Sequence, residues 1–156
     1  MSFEVEGLAA LADKLEGVSA DIKGKGGRFA LRKAANVVRD RAKESARRLD
    51  DPTTANSIAD NIVVRADTKH YKLTGDLKMA VGVRGGAKSR DKNAANPGGD
   101  TYYWRFLEFG TSTIPAKGFM RTALASSIDA ATQEFVTQYG KSVDRAIKRA
   151  AKAGGN

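Results

Sequence analysis

Apolar residues recur at spacings of three and four along much of the chain, and in shorter stretches they alternate with polar ones. Leu8, Leu11, Leu15, Val18 and Ile22 place one apolar stripe on a first helix, preceded by Ser2-Phe3-Glu4-Val5-Glu6-Gly7, whose alternation predicts a short strand. Lys23-Gly24-Lys25-Gly26-Gly27 predicts a stop and a turn, because glycine loses the most entropy inside a helix and accepts the left-handed backbone after one. A second helix is expected from about Arg28 to Leu49, with Leu31, Ala34, Val38, Ala42, Ser45 and Leu49 on one stripe. Its many small residues would let a neighbour come close. Asp50-Asp51-Pro52 closes that helix, and Asp51 with Pro52 suits the cap and first residue of a short helical turn toward Ile58.

Ile62-Val63-Val64-Arg65 predicts a strand, and Asp76 to Arg84 another, with Leu77, Met79, Val81 and Val83 on one face and Lys78, Ala80, Gly82 and Arg84 on the other. Such alternation suits an antiparallel sheet with one side on a core. Tyr102 to Phe109, rich in aromatic residues and closed by Gly110, reads as a further strand. Tyr103, Arg105, Leu107 and Phe109 would share one face, and Tyr102, Trp104, Phe106 and Glu108 the other. Neither face is polar, so both need cover, and a neighbouring subunit is a candidate for the second cover. Tyr102, Trp104, Phe106, Glu108, Phe109 and Thr111 are therefore the candidate subunit interface. Beyond Pro115 and Gly118, a long last helix starts near Phe119 and carries Met120, Leu124, Ile128, Ala131, Phe135, Tyr139, Val143 and Ile147, interrupted by Gly140. The expected fold is α+β: an N-terminal helical pair, an antiparallel sheet of three or four strands, and the C-terminal helix packed across it.

The aromatic run leading into Leu107-Glu108-Phe109-Gly110-Thr111, then Ile114-Pro115-Ala116, Phe119-Met120-Arg121 and an amphipathic helix, resembles the neck and tail-completion family of tailed bacteriophages. That family is typified by the gene-product-ten-like tail component and is related to minor tail protein Z. The resemblance implies a structural virion protein at the head-tail junction, made and assembled in the bacterial host cytoplasm. It also implies a ring of subunits, six-fold like the tail, around the channel through which DNA passes, with other neck and tail proteins as partners.

Length, charge and chemistry narrow the picture. At 156 residues the chain is expected to form one domain. It has no cysteine, which excludes disulfides and thiolate metal sites. No apolar run approaches the length of a membrane span. The net charge of +9 raises the alternative of a small basic DNA-binding protein. Arg32, Lys33, Arg39, Arg41, Lys43, Arg47 and Arg48 surround the second helix, yet no aromatic residues lie among them to stack on bases, and pairs such as Asp40 with Lys43 or Glu44 with Arg47 or Arg48 fit a solvated face. An assembly chaperone that leaves before the particle is finished is a third reading.

Gly85 to Gly99, rich in glycine, lysine and asparagine, is too polar to pack alone. With Arg84, Lys88, Arg90 and Lys92 it is a candidate loop for ordering against a neighbour on assembly. His70, the single histidine, has no second ligand in a recognisable spacing, and the Asp50-Asp51 pair suits capping better than a metal. No catalytic, cofactor or metal constellation stands out, and none is expected.

Overall fold

The alanine-rich stretch after the glycine run forms the longest described element of the N-terminal half, α1 (Gly27–Arg47), in a computed structural model that describes residues 22–84 and 96–154 together with Glu16 and Ala20. The expected turn at Lys23 to Gly27 is absent. Ile22–Gly26 instead makes a π-helical turn that runs directly into α1, with Gly26 in ordinary right-handed helical backbone. Glycine adds no Cβ to a widened turn, so the run loosens the helix without reversing it. The predicted first strand and most of the first helix lie outside the described residues, and of that stretch Glu16 and Ala20 are helical and exposed.

After α1, the chain turns through Asp50 into α2 (Ile58–Asn61) and β1 (Ile62–Ala66). The helical turn therefore starts at Ile58 rather than leading up to it. Its caps are Ser57, whose hydroxyl accepts from the Asp60 amide at 3.2 Å, and Asp50, whose carboxylate accepts from the Ile58 amide at 2.9 Å. Asp51, the expected cap, accepts from the Thr53 amide and hydroxyl, at 2.9 and 2.7 Å. That local turn holds its carboxyl below the usual range, chiefly through the Thr53 hydroxyl.

The segment between the strands is helical, α3 (Thr68–Thr74), and contains His70. Asp67 caps it by accepting from the His70 amide at 3.0 Å, and Gly75 ends it in the left-handed backbone at φ 77°. β2 (Met79–Val83) then pairs antiparallel with β1, placing Ile62 opposite Val83, Val64 opposite Val81 and Ala66 opposite Met79. Those pairs share one face, and Ile62, Val81 and Val83 reach the core, as the alternation predicted. Among the described residues the sheet has two strands, because the aromatic stretch predicted as another is a short helix, α4 (Trp104–Phe109).

The long last helix, α5 (Phe119–Ala153), lies along α1. Its buried positions are Phe119, Ala123, Ser127, Ala131, Ser142 and Ala146, facing Gly27, Ala30, Ala34, Ala35, Ala42 and Ala46 of α1. Small faces small along the pair, so the axes come close and only small side chains fit beneath. Most of the larger residues of the predicted stripe are pushed to the flanks, leaving Leu124, Ile128 and Ile147 exposed. The main core gathers at the α1 C-terminus, where Ala42, Ala46, Ile58, Ala59, Ile62, Phe119 and Ala123 meet, with Trp104, Tyr103 and Leu107 packed against it.

Candidate subunit interface

A helix of six residues sorts the aromatic run by a period near 3.6 rather than 2. Tyr103, Trp104 and Leu107 turn inward onto the core together with Glu108, while Tyr102, Arg105, Phe106 and Phe109 turn outward. The candidate interface residues are thereby divided. Tyr102, Phe106 and Phe109 are exposed at 55, 44 and 65% of their surface, whereas Trp104 is half-buried and Glu108 is buried at 2%. Tyr102 stands edge-on to both Tyr103 and Phe106, with ring centroids 6.1 and 6.3 Å apart, which fixes the outward cluster in one arrangement.

Glu108 is the residue whose role the sequence reading missed. Its carboxylate accepts from the amides of Met120 at 2.8 Å and Arg121 at 3.3 Å, the free donors at the start of α5, and from Arg121 Nε at 3.0 Å. Arg121 Nη2 also donates to the Glu108 carbonyl at 2.8 Å. A carboxylate at a helix N-terminus satisfies backbone donors and meets the positive end of the helix dipole. The spacing that signals it is a glutamate twelve residues before the first turn of a helix that has no capping side chain of its own, since Gly118 occupies the cap position.

The connection between the two helices is equally fixed. Gly110 adopts φ 78°, and a Cβ there would lie 2.8 Å from the Ala116 amide nitrogen and 2.9 Å from the Ile114 carbonyl oxygen, so only glycine lets the chain fold back this tightly. Thr111 closes a small turn: its amide donates to the Ile114 carbonyl at 2.8 Å and its hydroxyl accepts from the Ile114 amide at 3.0 Å. The Lys117 amide then donates to the Leu107 carbonyl at 2.7 Å. Thr111 thus presents its exposed surface beside Phe109 from a locked turn.

From α4 the apolar surface continues onto α5. The Arg121 guanidinium lies 5.6 Å from the Phe109 ring centre, and Arg121 also lines a groove of about 460 Å³ with Leu31, Val38, Met79, Val81 and Leu124. Phe109, Arg121, Leu124 and then Ile128 form a run of apolar surface with one cation set into it.

The candidate assembly loop is only partly described. Arg84 is exposed and lines a polar cleft of about 410 Å³ with Arg32, Asn36, Arg39, Lys43 and Asp60, while Lys88, Arg90 and Lys92 lie outside the described residues. The loop's far end is anchored. Buried Asn61 accepts from the Gly98 amide at 2.9 Å and donates to the Gly99 carbonyl at 3.0 Å and the Thr101 hydroxyl at 2.8 Å. On α1 the acids are paired: Asp40 with Arg39 at 2.7 Å, and Glu44 with Arg41 and Arg48 at 2.8 Å each. The expected partnership of Glu44 with Arg48 is present, whereas Asp40 takes Arg39 in place of Lys43.

Among the described residues, no group of three or more metal-ligating side chains occurs, and no helix is long and apolar enough to cross a membrane. Residues 9–110 match the family model described as "Bacteriophage HK97-gp10, putative tail-component". No curated protein and no solved structure matches the chain.

Proposed function

The chain belongs to the HK97-gp10-like family of bacteriophage tail components, and from that premise we propose that it is a structural subunit of the head-tail junction. On this reading, copies assemble into a ring, six-fold like the tail, that completes the tail so that a DNA-filled head can join it. The chain carries no reaction, and its partners are further copies of itself and neighbouring neck and tail proteins. One observation supports this above the others: three exposed aromatic side chains, Phe106 and Phe109 on a short helix and Tyr102 in the turn just before it, stand on a segment clamped to the head of α5 by a buried carboxylate. A monomer gains nothing from holding large apolar groups rigidly in water, whereas an interface gains preorganised anchors.

Imaging of particles made with and without the protein tests the reading. Loss of the protein is expected to leave filled heads and separate tails. Joined particles in normal number would overturn it. A second reading, a small basic DNA-binding protein, draws on the cleft lined by Arg32, Arg39, Lys43 and Arg84. The pairing of Arg39, Arg41 and Arg48 with acids on the same helix weighs against it.

A further inference from the structure

The polar cleft of about 410 Å³ has two walls of different kinds. One is a stripe along α1 of Arg32, Asn36, Arg39 and Lys43, which share a flank of the helix. The other is β1, which contributes Ile62, Val63 and Val64 in succession. Successive residues of a strand point to opposite faces, so a cleft lined by consecutive residues runs along the strand's backbone. β2 holds the opposite side of β1, and no residue of Met79–Val83 lines the cleft. The backbone in its wall is therefore the outer edge of β1.

The hydrogen-bond register fixes what that edge offers. The Asp67 amide donates to the Lys78 carbonyl at 2.9 Å, which makes these two a hydrogen-bonded pair. In an antiparallel ladder such pairs alternate with pairs whose backbone groups turn outward. Further along the register, Arg65 with Ala80 and Val63 with Gly82 are bonded likewise, while Val64 between them turns its N–H and C=O to the outer edge. Among the described residues no third strand meets these groups. A donor and an acceptor side by side on an open edge are a template for adding a strand.

Charge then selects the strand. Asp40 answers Arg39, but none of the ion pairs among the described residues takes up Arg32 or Arg84, which both line the cleft, and Asp60 is the one acid in its described wall. We propose that the outer edge of β1 and the basic stripe beside it form a docking groove for an extended acidic segment of a partner protein, added as a third strand with carboxylates on Arg32 and Arg84. The edge of a second copy does not fit: β1 and β2 contain no acid, and pairing this edge with its own copy would set the same cations against one another. Duplex DNA matches the charge but not the strand, because phosphates offer acceptors alone and leave the Val64 carbonyl unmatched. The groove shares no residue with α4 and stands whether or not copies form a ring.

Titration of the full-length protein with a labelled peptide of alternating glutamate and valine tests this, followed by fluorescence anisotropy and by amide hydrogen exchange. The peptide is expected to bind, and the Val64 amide, fast to exchange in the free protein, is expected to become protected. Methylating alternate peptide amides keeps every charge and removes the strand's donors, and is expected to weaken binding by about tenfold or more. Arg32→Glu with Arg84→Glu is expected to weaken it as much, with urea denaturation unchanged, since both side chains are exposed. Equal binding of the methylated peptide would reduce the contact to charge attraction and overturn the added strand. A Val64 amide already slow to exchange in the free protein would mean that the edge is filled within the chain, which overturns the proposal as well. So would failure of the peptide to bind; duplex DNA bound instead, and released by the double variant, would assign the groove to nucleic acid.

Discussion

A single carboxylate decides how the aromatic helix sits. Glu108 is buried, and its carboxylate accepts hydrogen bonds from the Met120 and Arg121 amides and from the Arg121 guanidinium in the first turn of α5. Glu108→Ala would strand those donors beside Phe119, and a lost charge-assisted network of this kind costs about 2 kcal/mol, measurable by urea denaturation. Glu108→Gln keeps an acceptor and removes the charge, so the loss is expected to be smaller, about 1 kcal/mol. Equal stability of all three proteins would mean that the capping contributes nothing. Tyr103 offers a second reading at this scale. Burial, and next the nearby charge of Asp50, push its phenol above the ordinary value of about 10. A raised folded value favours the protonated form, so its contribution to stability is complete below the unfolded value and is lost as pH rises through the folded one. Tyrosinate absorbance should show one of the four tyrosines ionising last, and Tyr103→Phe should remove that late step.

Between residues and the whole lie elements whose glycines do opposite things. Gly140 sits inside α5 with open space where a Cβ would go, so Gly140→Ala is expected to stabilise by about 1 kcal/mol, seen as a higher thermal midpoint. Gly110→Ala meets backbone atoms under 3 Å away at a positive φ and should destabilise by more than about 2 kcal/mol. The same elements show what the sequence disclosed. Strand alternation located β1 and the pairing stretch of β2, because a half-buried antiparallel pair has a period that local residues enforce, although β2 begins at Met79 and not at Asp76. Helical spacing located α1 and α5, but the buried face of α5 runs through Ala123, Ser127, Ala131, Ser142 and Ala146 instead of the larger residues beside them. Hydrophobicity pointed at the large side chains, while the alanine surface of α1 admits only small ones. The Tyr102 to Phe109 run misled for a related reason: aromatic residues favour strands on average, and a helix of six residues is too short for its periodicity to outweigh that average. Of the candidate interface, Tyr102, Phe106, Phe109 and Thr111 are at the surface and Trp104 and Glu108 are turned inward, a division visible only once the period is known.

At the scale of the molecule, the exposed apolar run and the excess positive charge make separable demands. If α4 anchors a subunit contact, Phe106→Ala and Phe109→Ala should each weaken self-association by roughly 2 kcal/mol, the range of interface anchors, without loss of stability. Trp104→Ala is a poorer probe, because its ring packs on the core and its loss would also destabilise the fold. Sedimentation alongside urea denaturation distinguishes the two, and assembly unchanged in both phenylalanine variants would exclude this face. Charge asks a different question. A DNA-binding face carrying Arg39, Lys43, Arg47 and Arg48 would neutralise several phosphates, and its affinity would fall steeply and log-linearly with salt. In the fold, Arg39 and Arg48 already answer Asp40 and Glu44, so part of that charge is met within α1. On the proposed structural role, replacing the four by glutamine is therefore expected to leave head-tail joining largely intact, and duplex binding by the unmodified protein is expected to be weak and unselective at about 150 mM salt, where long-range attraction is screened. A tight, sequence-selective complex under those conditions, abolished by the same four substitutions, would overturn the proposed structural role in favour of DNA binding.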